Sequence, residues 1–299
     1  MGTIIEASAT ATAHYRPFGP GALKLADTAA RSCLERASRT ADELDLLVNA
    51  GVYHDKTMNE PALASLIQED IGANPVHPPG AGHGTFSFDI ANGACGLLTG
   101  IHLVDGMLAS GTVELGMVVA SDMNPEPGIS RGFDFPAVGG AVLLSADDSR
   151  AGFTAFQFAT FPEFADLFHS YVDWEEDARR GLTHHGRNLL TVEIAESYAA
   201  RALECAESTV RELAAAQGLD LGEVDLLVAT ASVAGFADGL AGRLGISAAR
   251  VASLGDGLAG AHTAAPAVAL ESAELAASRT ALFVSAGAGI TVAAALYRA

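Results

Sequence analysis

Glu43-Leu44-Asp45-Leu46-Leu47-Val48-Asn49-Ala50 returns later in the chain as Glu223-Val224-Asp225-Leu226-Leu227-Val228-Ala229-Thr230. In each copy acidic residues mark the entry and a short aliphatic run follows, which is the pattern of a buried strand. A helix-like segment precedes each copy, Leu23 to Arg36 and Val192 to Gln217. A second amphipathic stretch follows each, Ala62 to Ile71 before Gly72 and Ala237 to Leu244 before Gly245, with the glycine as the stop. Each half then runs through an apolar strand, a small-residue turn and an Ala/Leu helix to a closing pair of strands. Those pairs are Leu115 to Ser121 with Ala141 to Ser145, and Ala281 to Ser285 with Thr291 to Leu296. Strands alternating with helices predict an α/β fold with mostly parallel sheets covered by helices. The duplication divides the chain into two like halves, residues 1–150 and 151–299.

Within the first half, Phe88-Asp89-Ile90-Ala91-Asn92-Gly93-Ala94-Cys95-Gly96 leads from a strand through a small-residue turn into the helix expected over Leu97 to Leu108. A thiol at a helix start meets unpaired N–H groups and the positive end of the helix dipole, both of which favour thiolate. Cys95 is therefore the candidate nucleophile, against the ordinary reading of a free cysteine as a small buried hydrophobe. The matching helix of the second half starts near Ala261-His262-Thr263. If the halves pack about a pseudo-dyad the two helix starts meet, and His262 faces Cys95 as a base; the competing reading makes His262 a helix cap. Cys33 and Cys205 lie on helical segments with apolar neighbours and read as core.

The 299 residues are 49% hydrophobic and 18% charged, the composition of a globular chain, and the formal charge of −19 opposes binding to nucleic acid or to an anionic membrane. Three well-separated cysteines form neither a disulfide framework nor a metal-ligand spacing. The N-terminal residues lack the features of a signal peptide. The longest apolar run, Ala281 to Leu296, is broken by Gly287 and Gly289 and is short for a membrane span. A cytoplasmic protein without metal or cofactor is the expectation. The Gly255-to-Gly260 stretch has no Walker lysine and no dinucleotide spacing.

These segments, together with Gly218 to Gly245 and Ala286-Gly287-Ala288-Gly289-Ile290-Thr291, resemble the thiolase superfamily, in its ketoacyl-acyl-carrier-protein synthase III branch. The resemblance implies a five-layered αβαβα fold built from the two halves, and a homodimer. It further implies that Cys95 takes an acyl group from an acyl-coenzyme A or acyl-carrier-protein donor as a thioester and passes it to a second substrate, commonly a malonyl thioester. The backbone N–H of Cys95 and one from Ala288-Gly289 would form the oxyanion hole.

The chain also departs from that pattern. Thr230 stands where the family's Pro-His-Gln-Ala-Asn-type motif supplies a histidine, and His262 stands nearest to where a Gly-Asn-Thr segment supplies an asparagine. Losing one of two polar groups that hold the malonyl thioester carbonyl costs on the order of 10²–10³ in rate. Transfer to a hydroxyl or amine acceptor needs only nucleophile, oxyanion hole and one base. A catalytically reduced subunit of a related synthase is the alternative reading. His54 and His83, with Thr230, are candidates for the substrate mouth. His77 and His83 sit in the insertion-like loop Asn74 to Gly84, without the acidic or thiol partners of a metal site. His184-His185 read as solvent-facing. For docking of an acidic carrier protein, Arg201, Arg211, Arg243 and Arg250 are the basic candidates.

Overall fold

The computed structural model describes residues 2–13, 21–55, 60–74, 84–149, 151–176 and 186–299. The first half comprises β1 (Gly2–Thr12), α1 (Ala22–Ala37), β2 (Leu46–Asn49), α2 (Leu63–Ile71), β3 (Phe86–Asp89), α3 (Gly96–Ala109), β4 (Leu115–Asp122) and β5 (Val138–Asp147). The second comprises β6 (Gly152–Thr160), β7 (Phe168–Glu176), β8 (Gly186–Ile194), α4 (Tyr198–Gln217), β9 (Leu226–Thr230), α5 (Phe236–Leu244), α6 (Ala265–Glu271), β10 (Thr280–Gly287) and β11 (Thr291–Arg298).

The main strands run in the order β3-β2-β4-β5-β1-β6-β11-β10-β9, and the halves join where Thr3 of β1 pairs with Phe153 of β6. The order repeats outward from that joint. β2 lies parallel to β4, which turns back antiparallel into β5; β9 lies parallel to β10, which turns back antiparallel into β11. Beside β9, where β3 stands beside β2, Val251 makes a single parallel bridge to Leu227.

Alternation along the strands sorts the apolar side chains into three layers. Leu46 and Val48 of β2, with Leu226 and Val228 of β9, face inward onto α3 and α6. Leu47 faces α1 and α2, while Leu227 and Ala229 face α4 and α5. The result is helices, sheet, central helices, sheet, helices, the thiolase-like five-layered arrangement. Small residues let α6 lie close against the sheet: a Cβ on Gly140 of β5 would come to 2.6 Å from the Ala267 methyl on α6. The buried face of α3, Leu97, Leu98, Ile101, Val104 and Leu108, contributes about 1.5–3 kcal/mol per large side chain.

Three features differ from the sequence expectation. Val192–Ile194 is not the start of a helix but the end of β8, which with β7 forms a separate two-stranded hairpin, and α4 begins only at Tyr198. The second central helix is short, with seven residues in α6 against fourteen in α3. It stops where the Ser272 hydroxyl donates to the carbonyls of Ser253 and Ala269. β1 occupies the middle of the sheet, where the sequence reading placed no strand ahead of α1. Among the described residues no helix is long and apolar enough to cross a membrane.

One buried carboxyl makes the fold sensitive to pH. Asp27 of α1 is 2% exposed, and burial together with the neighbouring Asp70 raises it from 3.8 to about 7. The folded chain thus holds this proton more tightly than the unfolded one, so the stability it confers is complete below about pH 4 and is lost as pH rises through about 7. Urea unfolding of Asp27→Asn should show the wild-type decline between pH 5 and 8 flattened by on the order of 2 kcal/mol. An unchanged decline would assign it to other groups.

Candidate active site

β3 delivers the chain to a 3₁₀ turn, Gly93–Cys95, and Cys95 is the N-cap of α3. The approach is fixed by Asp89, whose carboxylate accepts the amide of Asn49 and the N–H groups of Leu63 and Ala64 at the start of α2. Gly93 has a φ of +49°, a left-handed conformation that a side chain would strain. Past the turn, Thr99 donates to the Cys95 carbonyl and accepts from the Asn92 amide.

The Cys95 sulfur points across to the second half, 3.3 Å from the Ser285 carbonyl and 3.3 Å from the Thr291 carbonyl. It is fully buried, and that burial pushes the thiol up to about 12. The expected helix-start thiolate is corrected here. The helix terminus is present, but the sulfur is removed from water and faces two carbonyl oxygens, which favour S–H. Burial also pushes Cys33 up to about 12 and Cys205 up to about 11. Acidity does not distinguish Cys95 from these two; its position does.

His262 lies in the loop before α6, buried between aromatic rings. Its centroid is 4.8 Å from that of Phe135, nearly parallel at 24°, and 5.1 Å from that of Tyr53. Its Nδ1 is 3.3 Å from Oδ2 of Asp122, the last residue of β4. That carboxylate also accepts the Thr263 N–H at 2.8 Å and the Thr263 hydroxyl, while its other oxygen accepts the N–H groups of Val52 and Tyr53 at 3.1 and 2.9 Å. Burial alone would raise the Asp122 carboxyl, but His262, Thr263 and the Tyr53 N–H outweigh it and hold Asp122 well below the usual carboxylate range. An ionised carboxylate at Nδ1 selects the tautomer with hydrogen there and leaves the Nε2 lone pair free. Nε2 faces the turn of the nucleophile loop: a Cβ on Gly93 would lie 3.9 Å from it.

The structure thus brings His262 to the Gly93 turn that carries Cys95, with no hydrogen bond between the two side chains among the described residues. Asp122 was not singled out from the sequence. The available signal was an acidic residue ending an otherwise apolar strand, Leu115 to Asp122.

The remaining candidates separate. The Cys95 N–H donates to the Asn92 carbonyl at 3.0 Å and is not the free oxyanion donor expected, so an incoming carbonyl has to displace that bond. Gly287 packs against the turn, its Cβ position 3.4 Å from the Ala94 nitrogen, whereas Ala288 is exposed and Gly289 adopts a φ of +116°. Thr230 is buried, with its hydroxyl 3.0 Å from that of Ser285, and borders a cavity of about 360 Å³ with Phe236, Val251 and Leu254. His54 is buried beside a second cavity of about 210 Å³. His83, with His77, His184 and His185, lies outside the described residues. No cluster of three metal-ligating side chains occurs among the described residues. The basic docking candidates are engaged locally. Arg201 pairs with Glu204, Arg211 and Arg243 share Glu207, and Arg250 donates to the carbonyls of Gly222 and Val224.

No family model matches the chain. The beta-ketoacyl-[acyl-carrier-protein] synthase III of Rhodospirillum rubrum is 26% identical over 254 residues, covering 79% of this chain and 70% of that protein. Among solved structures, the 3-oxoacyl-[acyl-carrier-protein] synthase III of Aquifex aeolicus VF5 superposes over 100% of both chains with a TM-score of 0.75 at 18% identity. Xanthomonas campestris OleA, crystallised with lauric acid and lauroyl-CoA, superposes over 100% of this chain and 99% of its own with a TM-score of 0.79 at 15% identity. The chain therefore has the synthase III-like fold of the thiolase superfamily.

Proposed function

We propose that this chain is an acyl-transferring enzyme of the condensing-enzyme type, with Cys95 as nucleophile and the Asp122–His262 pair as its base. The observation that carries this reading is the buried carboxylate that fixes the His262 tautomer and leaves Nε2 directed at the turn bearing the thiol. Division of the chain into residues 1–150 and 151–299 then assigns Cys95 and Asp122 to one half and His262 to the other.

Loading starts from a protonated thiol. The side chain leaves the Ser285 and Thr291 carbonyls, His262 Nε2 accepts its proton, and the sulfur attacks the thioester carbonyl of an acyl-coenzyme A or acyl-carrier-protein donor. The donor thiol leaves with that proton, and the acyl group remains on Cys95. In transfer, Nε2 takes the proton of an acceptor hydroxyl or amine as its oxygen or nitrogen attacks the Cys95 thioester, and the expelled thiolate regains the proton. Asp122 stays ionised and holds the ring. A hydroxyl or amine acceptor is favoured over a malonyl thioester because Thr230 offers a hydroxyl, already paired with Ser285, in place of a second imidazole.

A homodimer through β3 accompanies this reading. β3 is the outer strand of its sheet, and Phe86 on it is 60% exposed, an edge that pairing with a second copy would cover.

Intact-mass analysis after incubation with a panel of acyl-coenzyme A and acyl-carrier-protein donors tests the reading. One acyl group should add per chain, and peptide mapping should find it on Cys95. A chain that takes no acyl group from any donor, or that sediments as a monomer, would favour the reduced-subunit alternative.

A further inference from the structure

Behind Tyr53 lies a cavity of about 210 Å³ that the acyl-transfer scheme leaves unused. Its walls are the loop after β2, Val52 to His54, and the facing side of the β7–β8 hairpin, with Ser170, Val172 and Leu190 among the lining residues. His54 is 6% exposed, and neither ring nitrogen has a hydrogen-bond partner among the described residues. A buried imidazole left unpaired on both sides costs free energy that a polar partner entering the cavity would recover.

The cavity adjoins the proposed chemistry. The Tyr53 ring that lines it stands 5.1 Å from the His262 ring, and the Tyr53 hydroxyl donates to Ser170 Oγ at 3.0 Å, tying the loop to the hairpin. Asp122 holds the N–H groups of Val52 and Tyr53 with one oxygen and faces His262 with the other. One carboxylate thus sets both the cavity wall and the base.

We propose that this cavity is a specificity subsite for a short aliphatic group carrying a hydroxyl, with His54 as the residue that hydrogen-bonds it. The proposal rests on the acyl-transfer reading for the reaction it serves. Among the described residues no arginine or lysine lines the cavity, which disfavours a carboxylate or phosphate. Val52, Pro125, Val172 and Leu190 supply an apolar sleeve, and the volume is below the roughly 300–1,000 Å³ of typical small-molecule sites, which disfavours a long chain. A neutral imidazole donates at one nitrogen and accepts at the other, as a hydroxyl also does at its single oxygen.

The hydroxyl can arrive on the acyl donor or on the acceptor, and two arms separate them. In the first, single-turnover acylation of Cys95 is compared for butyryl-coenzyme A and 3-hydroxybutyryl-coenzyme A. In the second, transfer from a preformed butyryl-enzyme is compared for butylamine and 4-aminobutanol. One arm should show about a tenfold preference for the hydroxylated substrate, which His54→Leu removes and His54→Gln largely keeps. A ratio that His54→Leu leaves unmoved in both arms overturns the proposal. If Cys95 accepts no donor, the acyl-transfer reading falls, and the subsite is judged by direct binding. The His54 imidazole resonances in ¹⁵N NMR, assigned by their loss in His54→Gln, should shift with 1,3-butanediol more than with 1-butanol. Equal or absent shifts would overturn it independently of any reaction.

Discussion

Cys95→Ala should abolish acyl-enzyme formation and lower overall transfer by about 10⁴-fold or more, the scale seen when a covalent nucleophile is removed. The loss should not reflect unfolding. Alanine fits within the Cys95 space, and the backbone turn is held by the Asn92 and Thr99 contacts, which do not use the sulfur. Neither other cysteine substitutes. Cys33 is on the buried face of α1 with its thiol donating to the Ala7 carbonyl at 3.4 Å, and Cys205 is on the buried face of α4 in the outer layer. Incubation with the preferred donor, followed by intact mass and circular dichroism, decides the matter. A folded Cys95→Ala chain that still gains an acyl group would remove Cys95 from the mechanism.

Asp122→Asn should be nearly as damaging to the second half-reaction, slowing transfer by about 10²–10⁴-fold, by analogy with loss of the orienting carboxylate in a Ser-His-Asp triad. The substituted amide still accepts from Val52 and Tyr53 with its oxygen, but it turns an NH₂ toward the Thr263 N–H, the Thr263 hydroxyl and His262 Nδ1. Donor then meets donor. The imidazole responds by moving its hydrogen to Nε2, where it no longer accepts a proton from the Cys95 side. Mispaired buried groups should also cost stability, on the order of 2–4 kcal/mol. Rapid-quench measurement of acylation and deacylation, below the unfolding temperature of the variant, separates the effects. A variant that transfers at the wild-type rate would show that His262 does not depend on Asp122 for its role.

Much of the fold was legible because it is written locally and twice. The aliphatic runs at Leu46 and Leu226 and the glycine stops at Gly72 and Gly245 are short-range signals, and their recurrence in order indicated the two-half architecture. The β7–β8 hairpin carried a signal that the helical reading absorbed: Phe168, Tyr171, Val172 and Trp174 are strand-forming residues, and Val192 belongs with them. β1 was not read as a strand, and its Ala9 and Ala11 become buried only through neighbours supplied by β5 and α1.

The site divides in the same way. Cys95 was visible from a strand, a turn and a helix start. Its acidity was misjudged because the helix start is a local property, whereas desolvation comes from β10 and β11. Asp122 meets His262 across 140 residues of sequence, and no spacing rule encodes that pairing. His54 was noted for its place after a strand, but the absence of a partner for its ring among the described residues is a fact of packing alone.

The Asp122 carboxylate has a consequence for the immature chain. Its oxygens clasp Val52 and Tyr53 on one side and His262 and Thr263 on the other, so the centre does not exist until both halves have docked. A nascent chain with only its first half folded carries a thiol without a proton acceptor or the facing Ser285 and Thr291 carbonyls. On the proposed mechanism, reactivity would therefore wait until the two halves have come together.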